Sequence, residues 1–176
     1  MPIIIIILAV IVILLISTTS SSGGSVDMST YEAIYNKWYD LSSNWADVLG
    51  VITAEEILAI ITEESSGEER AFNPGDPSYG LMGVSMLVGK AYSTAKTPED
   101  LYDAHINIMA GAGFLAFLKR KYQNSFPLGQ DNGWVQMYNE GETEFLKGKR
   151  AVGYEIAFLR HVPAMQAITQ QKFSGA

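Results

Sequence analysis

Hydrophobic side chains are distributed in different ways along the chain. Residues 3–16, IIIIILAVIVILLI, are apolar without interruption. From residue 30 onward apolar positions recur every three or four residues, the spacing of one face of a helix. Tyr31, Ile34, Trp38 and Leu41 predict a helix over residues 30–42. Thr53-Ala54-Glu55-Glu56 is a capping box, in which the threonine hydroxyl accepts from an early amide and the glutamate reaches back. The helix it opens carries Ile57, Leu58, Ile60 and Ile61, runs to about Glu64 and meets a natural stop at Gly67. Residues 65–80 read as loop, with Asn-Pro-Gly-Asp-Pro-Ser as turn chemistry; alternation there is too weak to assign strands.

Beyond the loop, residues 81–92 read as a short helix. Thr97-Pro98-Glu99-Asp100 is a strong start signal, with proline at the first position and acids on the positive end of the dipole. It predicts a helix to about Tyr122. Gly111 and Gly113 inside that helix each cost about 1 kcal/mol relative to alanine, which implies close packing at the domain centre. Trp134, Met137 and Tyr138 share a face of the next helix, and a last one covers about Val152 to Gln171, with Pro163 as a candidate kink. The expected fold is mainly α, a compact helical domain with a small loop or β region after the helix that ends at Glu64. A single hydrophobic helix precedes it.

The uninterrupted apolar run is shorter than the ~20 residues that cross a bilayer, and Ser17 to Ser20 bring it to a marginal span. It lacks the basic leader of a secretory signal. Residues 1–20 are therefore expected to be a membrane anchor or an uncleaved signal-like segment, 21–29 a Ser/Gly linker and 30–176 the folded domain. The first acids, Asp27 and Glu32, follow the run, which favours a domain in the periplasm or otherwise outside the cytoplasm.

Composition narrows the chemistry. The formal charge is −7, so phosphate backbones are repelled and no nucleic-acid partner is expected. Without cysteine there is no disulfide framework, thiolate nucleophile or Cys-based metal site. His105 and His161 stand far apart without neighbouring ligands and read as structural or surface residues; neither metal nor cofactor is expected. Carboxylates remain. Glu63, Glu64, Glu68 and Glu69 cluster at the end of an apolar helix. A solvated surface turn is the plain explanation. Acids are disfavoured at a helix C-terminus, however, and a carboxyl drawn against an apolar core stays protonated nearer neutrality, which suits a general acid. Glu64 is the best candidate.

Glu64-Ser65, then Asn73-Pro74, then Gly80-Leu81-Met82 resembles the signature of the Slt-type lytic transglycosylases of the lysozyme superfamily. In that family a Glu-Ser pair at a helix end is followed by a loop and Gly-Leu-Met-Gln. Asn107-Ile108 with Gly111, Phe114 and Leu115 resembles a second block, and Tyr138-Asn139 with Gly141 a third, in the same order. Tyr154 is similar to a later family tyrosine, with His161-Val162-Pro163 as a competing alignment. The resemblance covers roughly residues 50–165, and the Asn-Pro-x-Asp-Pro-Ser-Tyr-Gly loop resembles bacteriophage-encoded members. Gly83 stands where the family has glutamine, Asn73 where many members have serine, and Phe114 replaces a tyrosine.

The resemblance implies a lysozyme-like α+β fold and cleavage of the β-1,4 bond between N-acetylmuramic acid and N-acetylglucosamine in peptidoglycan, with a 1,6-anhydro product. Glu64 would be the single acid–base. Ser65 and Asn73 would contact the sugar or the carboxylate, Tyr138 would hydrogen-bond near Glu64 and the acetamido sugar, Met82 would line the sugar cleft, and Asn139 and Tyr154 would bind substrate. The missing Gln at Gly83 implies a lost substrate contact. Two rivals stay open. A lysozyme-like hydrolase would use Asp76 or Asp131 as a second carboxylate, and a wall-binding or virion structural protein would keep the fold without catalysis. Peptidoglycan glycan strands are the expected partner, with the membrane reached through the N-terminal segment; the setting is bacterial envelope or virion membrane, and the oligomeric state is open. The aromatics Tyr31, Tyr35, Trp38, Tyr39 and Trp45 read as core before they read as a sugar platform.

Overall fold

A computed structural model describes residues 27–125 and 132–174. The expected anchor, most of the linker and Asp131 lie outside the described residues. The elements are α1 (Met28–Leu49), α2 (Ala54–Ser65), β1 (Phe72–Asn73), β2 (Ser78–Tyr79), β3 (Val84–Ser85), α3 (Met86–Tyr92), a 3-10 turn (Pro98–Tyr102), α4 (Ala104–Tyr122), α5 (Gly133–Glu140), α6 (Glu142–Leu146) and α7 (Val152–Phe173). The mainly α expectation holds, and of the small β region β1 and β2 fall within the segment that reads as loop.

Helix α2 is the pillar. The predicted capping box forms, with Thr53 Oγ1 accepting from Glu56 N–H and Glu56 Oε2 accepting from Thr53 N–H. Ile57, Leu58, Ala59, Ile60 and Ile61 have no exposed surface, so the helix is apolar all round and has to be enclosed. Helices α1 and α7 pack on it. Of the positions that the helical spacing predicts to face the core, Tyr31, Ile34 and Trp38 of α1 are buried and Leu41 is partly buried; Tyr35 is buried beside them. Lys119 of α4 is 2.6 Å from Glu56 and lies over the Trp134 ring, tying α2, α4 and α5 together.

Two predicted boundaries move. The start signal at Thr97 opens the 3-10 turn, and α4 begins later: Asp100 accepts from Lys96 and Thr97 N–H, and Asp103 caps the new helix through Ile106 N–H. A single helix across this stretch would bury the Leu101 carbonyl in the ladder; here it is free to accept from Asn107. The segment read as a helix over residues 81–92 starts as strand β3 and becomes helical only at Met86, with Ser85 as its cap. The three strands form an antiparallel meander, β1-β2-β3, pairing Phe72 with Tyr79 and Tyr79 with Val84. Strands of two residues carry no readable alternation.

Candidate active site

The end of α2, the Gly80–Gly83 turn and α5 enclose one side of a cleft of about 530 Å³, lined by Glu64, Asn73, Asp76, Gly83, Phe114, Tyr138 and residues of α3 and α6. Its floor is held by side chains that bond to the backbone. Buried Asn107 donates to the Tyr79 and Leu101 carbonyls, each at 2.7 Å, and accepts from Met82 N–H at 2.8 Å. Ser65 Oγ reaches the Leu81 carbonyl at 2.8 Å and the Ile61 carbonyl at 3.0 Å, and accepts from Gly67 N–H. Ser65 thus clasps the turn to the helix, and its hydroxyl is fully engaged there. Met82 has no exposed side chain. It packs on Gly111, where a Cβ would sit 2.7 Å from its sulfur, so what Met82 presents to the site is its carbonyl, which accepts from Tyr138 Oη at 2.8 Å. The close packing expected at Gly111 is present.

Glu64 stands over this floor. Tyr154 Oη donates to Glu64 Oε1 at 2.6 Å across 90 residues of sequence. Oε2 lies over Gly83, where a Cβ would be 2.3 Å away. Gly83 also has a φ of +58°, a region that disfavours side chains. The departure from the family's glutamine is therefore a matter of room: in this chain the acid occupies the place a side chain at Gly83 would need. Burial pushes the Glu64 carboxyl up to about 7; the Tyr154 hydrogen bond opposes this and the Glu63 charge adds to it. Burial and the Glu64 charge hold Tyr138 and Tyr154 well above the usual phenol range, so both are neutral donors.

Asn73 and Asn139 are exposed on the cleft lining, Asn73 using its Oδ1 to accept from Gly75 N–H. Helix α7 is brought to Glu64 by Gln136, which donates to Glu155 and accepts from Ala151 N–H. None of Tyr31, Tyr35, Trp38, Tyr39 and Trp45 lines the cleft. Phe114, which stands in place of the family's tyrosine, packs at a tilt against Tyr138 and also forms cleft wall. The sequence did not single out Leu87, Tyr92 or Phe117, which complete the apolar wall; no motif marks them, though all are apolar residues on helices flanking the site.

The model of the transglycosylase SLT domain matches residues 46–157. The chain belongs to the transglycosylase SLT family. That match spans more than half of the chain and every residue placed around the cleft, from Glu64 to Tyr154. The family carries the protein's general function, transglycosylase-type degradation of peptidoglycan on a lysozyme-like fold. No curated protein shows a significant match to the chain. Among the described residues of this SLT domain, no helix is long and apolar enough to cross a membrane.

Proposed function

We propose that the protein is a lytic transglycosylase that cleaves the β-1,4 bond between N-acetylmuramic acid and N-acetylglucosamine, with Glu64 as the only acid–base and a 1,6-anhydromuramic acid end as product. The observation that carries this reading is a carboxyl raised to about 7 on the lining of a cleft of about 530 Å³. A carboxyl with that proton affinity is half protonated at neutral pH and can both give and take a proton. Tyr154 occupies Oε1, so the transferable proton belongs to Oε2, on the Gly83 side. Glu64 gives this proton to the glycosidic oxygen as the bond to C1 breaks. The resulting carboxylate, steadied by Tyr154, takes the proton of the muramic acid C6 hydroxyl as that oxygen closes onto C1. No water is consumed and Glu64 ends protonated. Because the nucleophile belongs to the substrate, a second carboxylate is not required. Tyr138, Asn139 and Asn73 line the cleft where the sugar amides would lie.

A second reading rests on Asp76, which lines the same cleft and would serve a lysozyme-like hydrolase. Mass spectrometry of products released from purified sacculi separates the two. Products one water lighter than hydrolysed muropeptides, absent with Glu64→Gln and retained with Asp76→Asn, are expected. Reducing ends lost with Asp76→Asn would establish the hydrolase. Release that persists in Glu64→Gln would remove Glu64 from the chemistry.

The expectation of membrane anchoring through residues 1–20 is kept as part of the proposal. It rests on the uncharged apolar run of residues 3–16 alone.

A further inference from the structure

The residue before Glu64 meets a histidine that the chemistry above does not use. His161 of α7 is 2% exposed. Its Nε2 lies 3.0 Å from Glu63 Oε2 and its Nδ1 lies 2.7 Å from the Tyr31 hydroxyl of α1. With the proton on Nε2, Tyr31 donates to Nδ1 and the imidazole donates to Glu63, so every polar atom of the ring has a partner. The Glu63 carboxylate is thereby held at the junction of α1, α2 and α7 instead of turning freely into solvent. Helix α7 reaches the two adjacent glutamates on one face, Tyr154 to Glu64 and His161 to Glu63. Tyr31 and His161 both fall outside residues 46–157, so the family match does not account for them.

We infer that His161 is a positioning residue for the acid–base: held by Tyr31, it fixes the Glu63 carboxylate beside Glu64 and so sets the pH range in which the enzyme works. The inference rests on Glu64 being the acid–base. A fixed negative charge beside a buried carboxylic acid makes its proton harder to remove, and Glu63 adds to burial in raising Glu64. The other groups facing this pair are Tyr154 and Tyr138 around Glu64, and Arg160 beside Tyr31. The tyrosines are all raised above the ordinary phenol range and stay neutral through the working range. Glu63 is the neighbour whose charge a substitution removes without touching the cleft lining.

The test is the pH profile of initial rates on purified glycan strands at subsaturating substrate. It uses the full chain and its Glu63→Gln, His161→Gln, doubly substituted and Glu64→Gln forms, each profile normalised to its own maximum. The alkaline limb of such a profile reports the acid of the free enzyme. Glu63→Gln is expected to move that limb to lower pH, seen as about a threefold lower relative rate on the alkaline side. His161→Gln is expected to move it the same way, with no further movement when added to Glu63→Gln. An unmoved limb in Glu63→Gln, or a His161→Gln shift of equal size with and without Glu63, overturns the inference. Should His161→Gln not fold, the Glu63→Gln profile still decides. An unmoved limb together with a dead Glu64→Gln overturns the inference alone; cleavage that persists in Glu64→Gln overturns the reading beneath it as well.

Discussion

At the scale of single residues, the site depends on a carboxyl kept short of water and on the absence of a side chain at Gly83. An alanine there would need a left-handed backbone and would meet Glu64 Oε2 at 2.3 Å. Gly83→Ala is expected to displace the acid and lower cleavage about a hundredfold, since misplacing a reacting group by an ångström costs that much. Tyr154→Phe removes the hydrogen bond that opposes the rise of Glu64. Its alkaline limb should therefore move to higher pH, opposite to Glu63→Gln, with a maximal rate roughly tenfold lower because the carboxylate formed after proton transfer loses its donor. Glu64 also links stability to pH. Its carboxyl rises from 4.5 to about 7 on folding, so between those values the native state holds a proton that the unfolded chain releases. The contribution is complete below 4.5 and is lost as pH rises to about 7. Glu64→Gln stays neutral at every pH and should be the more stable protein on the alkaline side, by something on the order of 3 kcal/mol. Thermal unfolding of both proteins across pH checks this: the gap should open between those limits and close in acid.

At the scale of elements, Asn107 organises the site without reaching it. One amide side chain serves the end of β2, the 3-10 turn and the Gly80–Gly83 turn. Asn107→Ala strands three backbone groups, two of them buried, and is expected to cost about 3 kcal/mol, with protease cleavage appearing first near the meander. Much of this level was legible in the sequence. The buried face of α1, the capping box of α2 and the close approach at Gly111 all follow from spacing and local chemistry. The break before α4 did not, because Pro98 and its acids start a 3-10 turn as readily as a helix, and only Asn107 decides between them. The same limit governs the site. Glu64 was readable because acids at the C-terminus of an apolar helix are out of place. Tyr154 is legible only through the family resemblance; its bond to Glu64 and that of His161 to Glu63 cross 90 and 98 residues and are made by the packing of α7 on α2. Ser65 and Met82 show the converse: motif positions whose side chains are taken up by the floor of the cleft, leaving Met82's carbonyl to meet Tyr138.

At the scale of the whole molecule, the core and the cleft among the described residues are complete enough to be treated as one folded unit. The buried hydrophobic cluster runs from Tyr31 to Ile168, and Asp27 caps α1 through Ser29. Removing residues 1–26 keeps that cap and every residue of the cluster. The truncated protein is therefore expected to unfold at the same temperature as the full chain and to cleave detached glycan strands at the same rate. What should change is where the enzyme goes. An uncharged apolar run of 14 residues transfers favourably into a bilayer, whereas a domain bearing the full charge of −7 has no electrostatic attraction to an anionic lipid surface. The full chain should sediment with vesicles of bacterial phospholipid in both low and high salt, and the truncated chain should stay in solution. A full chain left in the supernatant would remove the anchor from the proposal, and a truncated chain with a lowered unfolding temperature would assign residues 1–26 to the domain itself. If sedimentation follows the apolar run, intact sacculi supplied on one side of a membrane should be cut only when the domain faces them, which ties the reach of the enzyme to the length of chain between run and cap.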